Sequence, residues 1–450
     1  MTGTQKRFLW MIIFTSAIAG VLYGYDLGII SAAFLVLPKH IPMNETMMGF
    51  LGSAVLFGGA FTILIAGPLA DFIGRKKMIV AANIIFLVGV ALLGFAQTYI
   101  EIIAGRLVQG VGVGIITIVV PLYLAEVLPS NYRGRGILAF QLLLACGIFF
   151  ANLVGLHFTA SENWRGMFLS SGLPCLLLLL LCFGLPESPR WLVAKGKKVR
   201  ALNILRRINP PALAQSEVLD IESNLEMTKG ESNWRALFDK RYTWALFLVF
   251  SNAILIQLTG INSILQYSGI ILKEAGLGSN EAAMLGSTIL TSVIIVIPLL
   301  VMFIIDSFGR KKILCIGTAG VFVTLAAAAT VFLTMAPSTN RGIAMIVCLT
   351  AFLISYSFGP SGVIWLMLSE LLPNKIRSVG MSAALFANSM VSSIFAIVFL
   401  QLSTYIAYSG VFYMCSIFGL LYFYIAYKYV PETKGKSLEQ IERELVGGLK

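Results

Sequence analysis

The chain has 450 residues, of which 58% are hydrophobic and 12% charged, with a formal net charge of +12. A soluble domain carries about 25% charged residues, so this composition excludes an ordinary soluble protein and describes one that crosses a membrane many times. The basic excess does not mark a nucleic-acid partner, because it collects in alternate loops rather than on one surface segment.

A membrane span needs about 20 mostly apolar residues. Twelve runs qualify: 8–36, 47–69, 78–96, 99–127, 137–159, 165–185, 243–272, 281–305, 312–334, 343–369, 378–404 and 409–429. The first follows Lys6-Arg7. It is too long for a signal-peptide core and contains Asp26, so it reads as a retained span. Asp26 sits in Gly24-Tyr25-Asp26-Leu27-Gly28. An ionised carboxylate at that depth costs several kcal/mol, so such residues face a partner or a watery cavity. Arg106 in the fourth run is the other charge of comparable depth. The two mark either a proton or substrate pathway or a structural ion pair.

Basic residues recur at Arg75-Lys76-Lys77, Arg133 and Arg135, 190–241, Arg310-Lys311-Lys312, Lys375 and Arg377, and the C-terminal tail. The alternate loops hold only Lys39, Arg165, Lys273 and Arg341. This positive-inside pattern places both termini in the cytoplasm, in agreement with an even number of spans. Asn44-Glu45-Thr46 is read as a chance match to a glycosylation sequon. The six cysteines lie within or at the edges of spans, without metal or disulfide spacing, and read as packing residues.

Residues 186–241 divide the spans six and six. They carry amphipathic stretches such as Val199 to Ile208 and predict short cytoplasmic helices near the membrane surface. The expected organisation is an all-α membrane protein with an N-terminal six-helix bundle (1–185), a helical linker (186–241), a C-terminal six-helix bundle (242–430) and a tail (431–450).

The halves repeat each other. AEVLPSNYRGRG at 125–136 aligns with SELLPNKIRSVG at 369–380, matching Glu126, Pro129 and Arg133 to Glu370, Pro373 and Arg377. GPLADFIGRKK at 67–77 aligns with FIIDSFGRKK at 303–312, matching Asp71, Gly74 and Arg75 to Asp306, Gly309 and Arg310. Parallel repeats about an axis along the membrane normal are a transporter architecture, with substrate bound between the halves near the midplane. The matched acids and bases at one membrane face predict a gate. They pair across the halves when the inner side closes and part when it opens. The plainer reading, that the basic residues fix topology, leaves the acids unexplained. The run QGVGVG at 109–114 lies inside a span and reads as close helix packing, not a phosphate loop. No ATP-binding loop is visible, which argues against a primary pump, and nothing calls for a metal or cofactor.

Taken together, GYDLGI (24–29), GPLADFIGRKK, GRLVQGVGVG (105–114), PLYLAEVLPSNYRGRG (121–136), PESPRWL (186–192), NWRALF (233–238), QLTGIN (257–262), DSFGRKK (306–312), SELLPNKIRSVG and PETKGKSLEQIE (431–442) resemble the sugar porter family of the major facilitator superfamily. The resemblance covers essentially the whole chain. It implies a transporter, not an enzyme, in which two six-helix bundles alternate access for a monosaccharide or polyol, moved downhill or with a proton. Asp26 and Arg106 match the family's proton-coupling pair, which tips the reading to symport. Burial and a neighbouring guanidinium act oppositely on a carboxyl's proton affinity, so moving the pair apart switches the proton on and off.

The resemblance also implies a sugar site of Tyr23, Gln141, Gln257, Asn262, Trp365 and Asn388. Amides both donate to and accept from hydroxyls, and an indole face suits a pyranose. Uncharged polar residues in spans also serve as interhelical glue, an equal alternative for Gln141 taken alone. Gln257 and Asn262 are five apart, on different faces of an unbroken helix, so a break at Gly260 is expected. Glu187 and Arg190 of PESPRWL join the expected gate, and Gln266 and Tyr267 the outer gate. The family pattern is altered at Ile256, Gln266, Ile294, Ser357 and Ser389. A pocket with fewer polar partners implies a substrate with fewer or differently placed hydroxyls than glucose. The expected protein is a monomer of the cytoplasmic membrane whose partners are a monosaccharide, protons and the bilayer.

Overall fold

In hydrocarbon every backbone N–H and C=O must find its partner within the protein, and a continuous helix does this locally. The computed structural model describes residues 3–227, 237–373, 376–434, 436 and 440, excluding the side chains at 130–131, 211–212, 224–227, 302–303, 305–307, 365–366, 368–369 and 378. Among them every regular element is a helix. The first five runs form α1 (Gly3–His40), α2 (Glu45–Ile73), α3 (Arg75–Phe95), α4 (Tyr99–Val127) and α5 (Ser130–Ala160). The sixth is split into α6 (Trp164–Ser170) and α7 (Gly172–Cys182). Ser171 lies between them and turns its hydroxyl back onto the Phe168 carbonyl at 2.6 Å. Such back-bonding bends a helix.

Three helices follow: α8 (Pro189–Ala194), α9 (Lys198–Ile208) and α10 (Pro211–Met227). Ala201, Leu205 and Ile208 line the buried side of α9. The first two pack with Trp191 and Leu192 of α8 and Ala214 and Val218 of α10. Then come α11 (Thr243–Leu258), α12 (Ile261–Glu274), α13 (Asn280–Phe308), α14 (Arg310–Thr334), α15 (Thr339–Phe358), α16 (Pro360–Glu370) and α17 (Arg377–Lys428). Eleven helical segments are long and apolar enough to cross a membrane among the described residues. The last holds two spans, because Ala407 leaves the helical region at φ 56°, ψ 167°. The twelve runs are thereby accounted for.

Two breaks have evident causes. Gly260, between α11 and α12, is left-handed at φ 81°, which glycine reaches without a Cβ clash. Between α15 and α16, Pro360 supplies no N–H and its ring disrupts the preceding turn.

The chain forms two compact units that do not follow its halves. The first gathers Met1–Asp26, Gly58–Ile148 and Phe168–Glu231; the second gathers Leu27–Phe57, Phe149–Met167 and Ser232–Lys450. In the first, small residues bring backbones together. A Cβ on Gly114 would stand 2.6 Å from the Gly59 carbonyl, so the glycine run of α4 does pack against α2. A Cβ on Gly24 would collide with the Leu144 carbonyl, so α1 lies directly on α5.

Candidate functional site

Asp26 of α1 and Arg106 of α4 meet inside the first unit, 0% and 1% exposed at the side chain. Arg106 Nη1 donates to Asp26 Oδ1 at 2.5 Å and to Gln109 Oε1 at 3.0 Å. Gln109 lies one turn along α4, and the guanidinium stands over the Phe168 ring at 5.6 Å. Asp26 Oδ2, Arg106 Nε and Gln109 Nε2 are buried without a hydrogen-bond partner. One carboxylate oxygen is thus engaged and the other is not. Around the pair, Tyr25 shares a hydrogen bond with Ser170 at 2.7 Å, and Tyr23 is bonded to Thr117.

Three of the four amides expected to bind sugar, Gln257, Asn262 and Asn388, assemble in the second unit. The break at Gly260 lets Asn262 of α12 turn back onto Gln257 of α11, its Nδ2 donating to Gln257 Oε1 at 3.0 Å. Asn262 Nδ2 also donates to Ser392 Oγ at 2.8 Å. Gln257 Nε2 donates to Asn388 Oδ1 at 3.1 Å, and Asn388 Nδ2 to the Ala253 carbonyl at 2.7 Å. A small cavity is lined by Gln257 and Asn388 together with Ile256, Tyr356, Ser361 and Leu385. Ile256 and Ile294 are buried apolar residues at 3% and 8% exposure. Gln141 and Tyr23 are half-buried and belong to the first unit. Trp365 is on α16, its side chain outside those described.

The repeated charged motifs also form within each unit. In the first, Arg75 Nη2 donates to Asp71 Oδ1 at 2.6 Å and to Glu126 Oε1 at 2.9 Å, while Nε lies 2.9 Å from Glu126 Oε2. Ser188 Oγ donates to Glu126 Oε2 at 2.5 Å. Glu187 accepts from the Lys76 backbone N–H at 3.0 Å, capping α3. In the second unit Glu432 does the same for α14, accepting from Arg310 and Lys311 N–H at 3.0 and 3.2 Å. A carboxylate belongs at a helix N-terminus, where unpaired donors and the dipole favour it. Arg310 and Glu370 stand 3.9 Å apart, a looser contact than its counterpart. Asp306 lies on α13, its side chain outside those described. Arg133 and Arg377 play one part in two places: Nε donates to the Leu128 carbonyl at 3.0 Å and to the Leu372 carbonyl at 3.1 Å. Arg190 is exposed.

At the other end of the spans, within the second unit, Tyr267 lies between Phe34 and Phe399, with ring centroids 5.1 and 5.6 Å away. Its hydroxyl donates to the Ala396 carbonyl at 2.9 Å. Gln266 is 2% exposed. A Cβ on Gly52 would stand 2.8 Å from both Gln266 Oε1 and the Tyr267 hydroxyl, so glycine there admits both side chains. Gln401 Nε2 donates to Thr46 Oγ1 at 2.6 Å, and the Gly269 N–H to Ser31 Oγ at 3.1 Å. The far ends of α1 and α2 therefore pack directly onto α12 and α17.

Gln109, Ser188, Ser392 and Glu432 were not singled out from the sequence. Glu432 had a signal, since Pro431-Glu432-Thr433 echoes Pro186-Glu187-Ser188. Among the described residues no group of three or more His, Cys, Asp and Glu is placed to hold a metal ion.

Doubled motifs, helices broken at a polar cluster and a deep ion pair are the features of a secondary membrane transporter. The chain belongs to the family described as Sugar (and other) transporter, which it matches over residues 12–445. It is 32% identical to the glucose transporter GlcP of Staphylococcus epidermidis, over 98% of each chain. It is 31% identical to the arabinose-proton symporter of Escherichia coli K12, over 99% of this chain and 95% of that one. The xylose transporter XylE of E. coli, in a partially occluded inward-open conformation, superposes with a TM-score of 0.85 at 25% identity, covering 96% of this chain and 100% of that one. The chain is a multi-pass sugar transporter with the major facilitator fold.

Proposed function

We propose that this transporter imports a monosaccharide together with a proton by alternating access. It acts as a monomer in the cytoplasmic membrane, with both termini in the cytoplasm. The observation that carries the reading is the buried Asp26–Arg106 pair, with one oxygen of Asp26 unpartnered. Ions at this depth are costly and kept where they act. Similarity to a proton-linked arabinose symporter points the same way, and the positive-inside pattern supports the orientation. The sugar is bound by Tyr23, Gln141, Gln257, Asn262, Trp365 and Asn388. The two bundles, 1–185 and 242–430, rock about it, joined by the linker 186–241. Residues Asp71, Arg75, Glu126, Arg133, Glu187, Arg190, Asp306, Arg310, Glu370 and Arg377 lock and release the inner side, and Gln266 and Tyr267 close the outer one.

Because the amides bond to one another, an entering sugar replaces internal hydrogen bonds instead of filling bare groups. Selectivity then rests on hydroxyl geometry more than on total polarity. Proteoliposomes test the coupling. With arabinose, xylose, glucose and myo-inositol tried in turn, one sugar is expected to drive proton uptake when added outside. Asp26→Asn is expected to abolish accumulation above the external concentration while sugar exchange continues. Continued accumulation by Asp26→Asn would show that the proton travels elsewhere.

A further inference from the structure

We propose that Gln109 is the positioning residue of the proton site: it holds Arg106 to a single-nitrogen contact with Asp26, so that Oδ2 stays open to the proton. This rests on the proton-coupled reading above. An arginine fork is built to grip a carboxylate through two nitrogens. Here it does not. Nη1 serves both Asp26 Oδ1 and Gln109 Oε1, and Asp26 Oδ2 has no partner. Gln109 is fully buried. Its amide makes this one bond and leaves Nε2 unpaired, an arrangement that costs stability and is unexplained by packing alone. Its place is also built. A Cβ on Gly89 of α3 would stand 2.7 Å from Gln109 Cγ, so α3 is notched where the glutamine lies.

The consequence is chemical. A neutral acceptor beside the carboxylate keeps Arg106 in register whether Asp26 is charged or protonated. Protonation at Oδ2 breaks no existing bond. The ionisable side chains beside the site are Tyr23 and Tyr25 of α1 and Arg106 of α4. Leu144 and Ile148 of α5 and Phe168 and Ser170 of α6 bring no charged group to it.

Two substitutions move the site in opposite senses. Gln109→Met keeps the volume and removes the acceptor. Arg106 is then free to turn a second N–H onto Asp26, which favours the ionised form. Half-maximal proton-driven uptake is expected about one pH unit further to acid, a tenfold change in proton affinity. Gln109→Glu places a second carboxylate beside Asp26 and draws off the guanidinium, so the midpoint is expected to move to alkaline pH. The measurement is the pH profile of uptake in proteoliposomes, with the sugar that drives proton uptake in the unmodified protein. Size-exclusion profiles in detergent confirm that each variant folds, and either variant alone is decisive. Midpoints unmoved, or moved in the same direction by both, overturn the role of Gln109 while leaving coupling intact. Absence of sugar-driven proton flux in the unmodified protein overturns the coupling reading itself.

Discussion

Arg75 gathers two carboxylates of very different standing, and their burial decides which matters. Asp71 is 69% exposed and Glu126 is 5% exposed at the side chain. An exposed pair i,i+4 on a helix is screened by water and contributes about 0–1 kcal/mol. Removing one member of a buried pair strands the other and costs about 3 kcal/mol. Glu126→Gln is therefore expected to destabilise the purified protein by about 3 kcal/mol and Asp71→Asn by less than about 1 kcal/mol, read from denaturation in detergent. Equal losses would contradict this ranking. The same residues show what a sequence reveals at this scale. Asp26 and Arg106 were legible as partners because no other charges lie so deep. Gln109 was not. It heads a glycine run that does pack closely, and spacing cannot say that the first residue of a packing motif carries a polar task. The ion pairs of Arg75 with Asp71 and Glu126 arise inside one half, because the turn at Gly74 places acid and base side by side.

Among the elements, spans were readable almost throughout, because twenty apolar residues in hydrocarbon have one low-energy backbone. One break was readable where glycine announces it, at Gly260, whereas 343–369 was read as a single run although Gly359-Pro360 divides it. The break at Ala407 carries no such residue. It falls in the polar, aromatic stretch Tyr405-Ile406-Ala407-Tyr408, which the sequence leaves between the runs 378–404 and 409–429. Its φ of 56° and ψ of 167° belong to a region that glycine enters freely and alanine at a cost of about 1–3 kcal/mol. The turn between the last two spans is held there by what it connects. Ala407→Gly is accordingly expected to raise stability by about 1 kcal/mol, seen as a higher midpoint of thermal unfolding, because relief of strain exceeds the added chain entropy of glycine. A lower midpoint would show that the alanine conformation is unstrained. The C-terminal motif was read as tail beyond the last span, yet Glu432 returns to cap α14 as Glu187 caps α3. Two helix starts of the same construction, Gly-Arg-Lys-Lys, each need a carboxylate from elsewhere, and the Pro-Glu-Ser/Thr segments supply one apiece.

For the whole molecule, alternating access requires that one end be sealed by contacts able to part. At the far end, within the second unit, the proposed seal is a column of rings, Phe34, Tyr267 and Phe399, with Ser31 beside Ser268 and Gly269 and with Gln401 on Thr46. Phe34 belongs to α1, whereas Tyr267 and Phe399 belong to α12 and α17. Parting the first helix from the other two breaks the stack as one event. Each aromatic contact contributes about 1 kcal/mol beyond its area, and the Tyr267 hydroxyl bond about 1 kcal/mol more. A tenfold change in population corresponds to about 1.4 kcal/mol. Tyr267→Ala is thus expected to raise the open fraction at this end by about tenfold to a hundredfold. Ser31→Cys gives the readout, since Ser31 is fully buried. A membrane-impermeant maleimide added from the outer side is expected to label Cys at this position at least tenfold faster in the Tyr267→Ala background, against the six native cysteines as the blank. Substrate accumulation falls in the same variant, because a carrier that spends most of its time open outward returns less often. If labelling is unchanged while accumulation still falls, the ring column steadies the fold without sealing the path, and the seal lies with the serine and amide contacts.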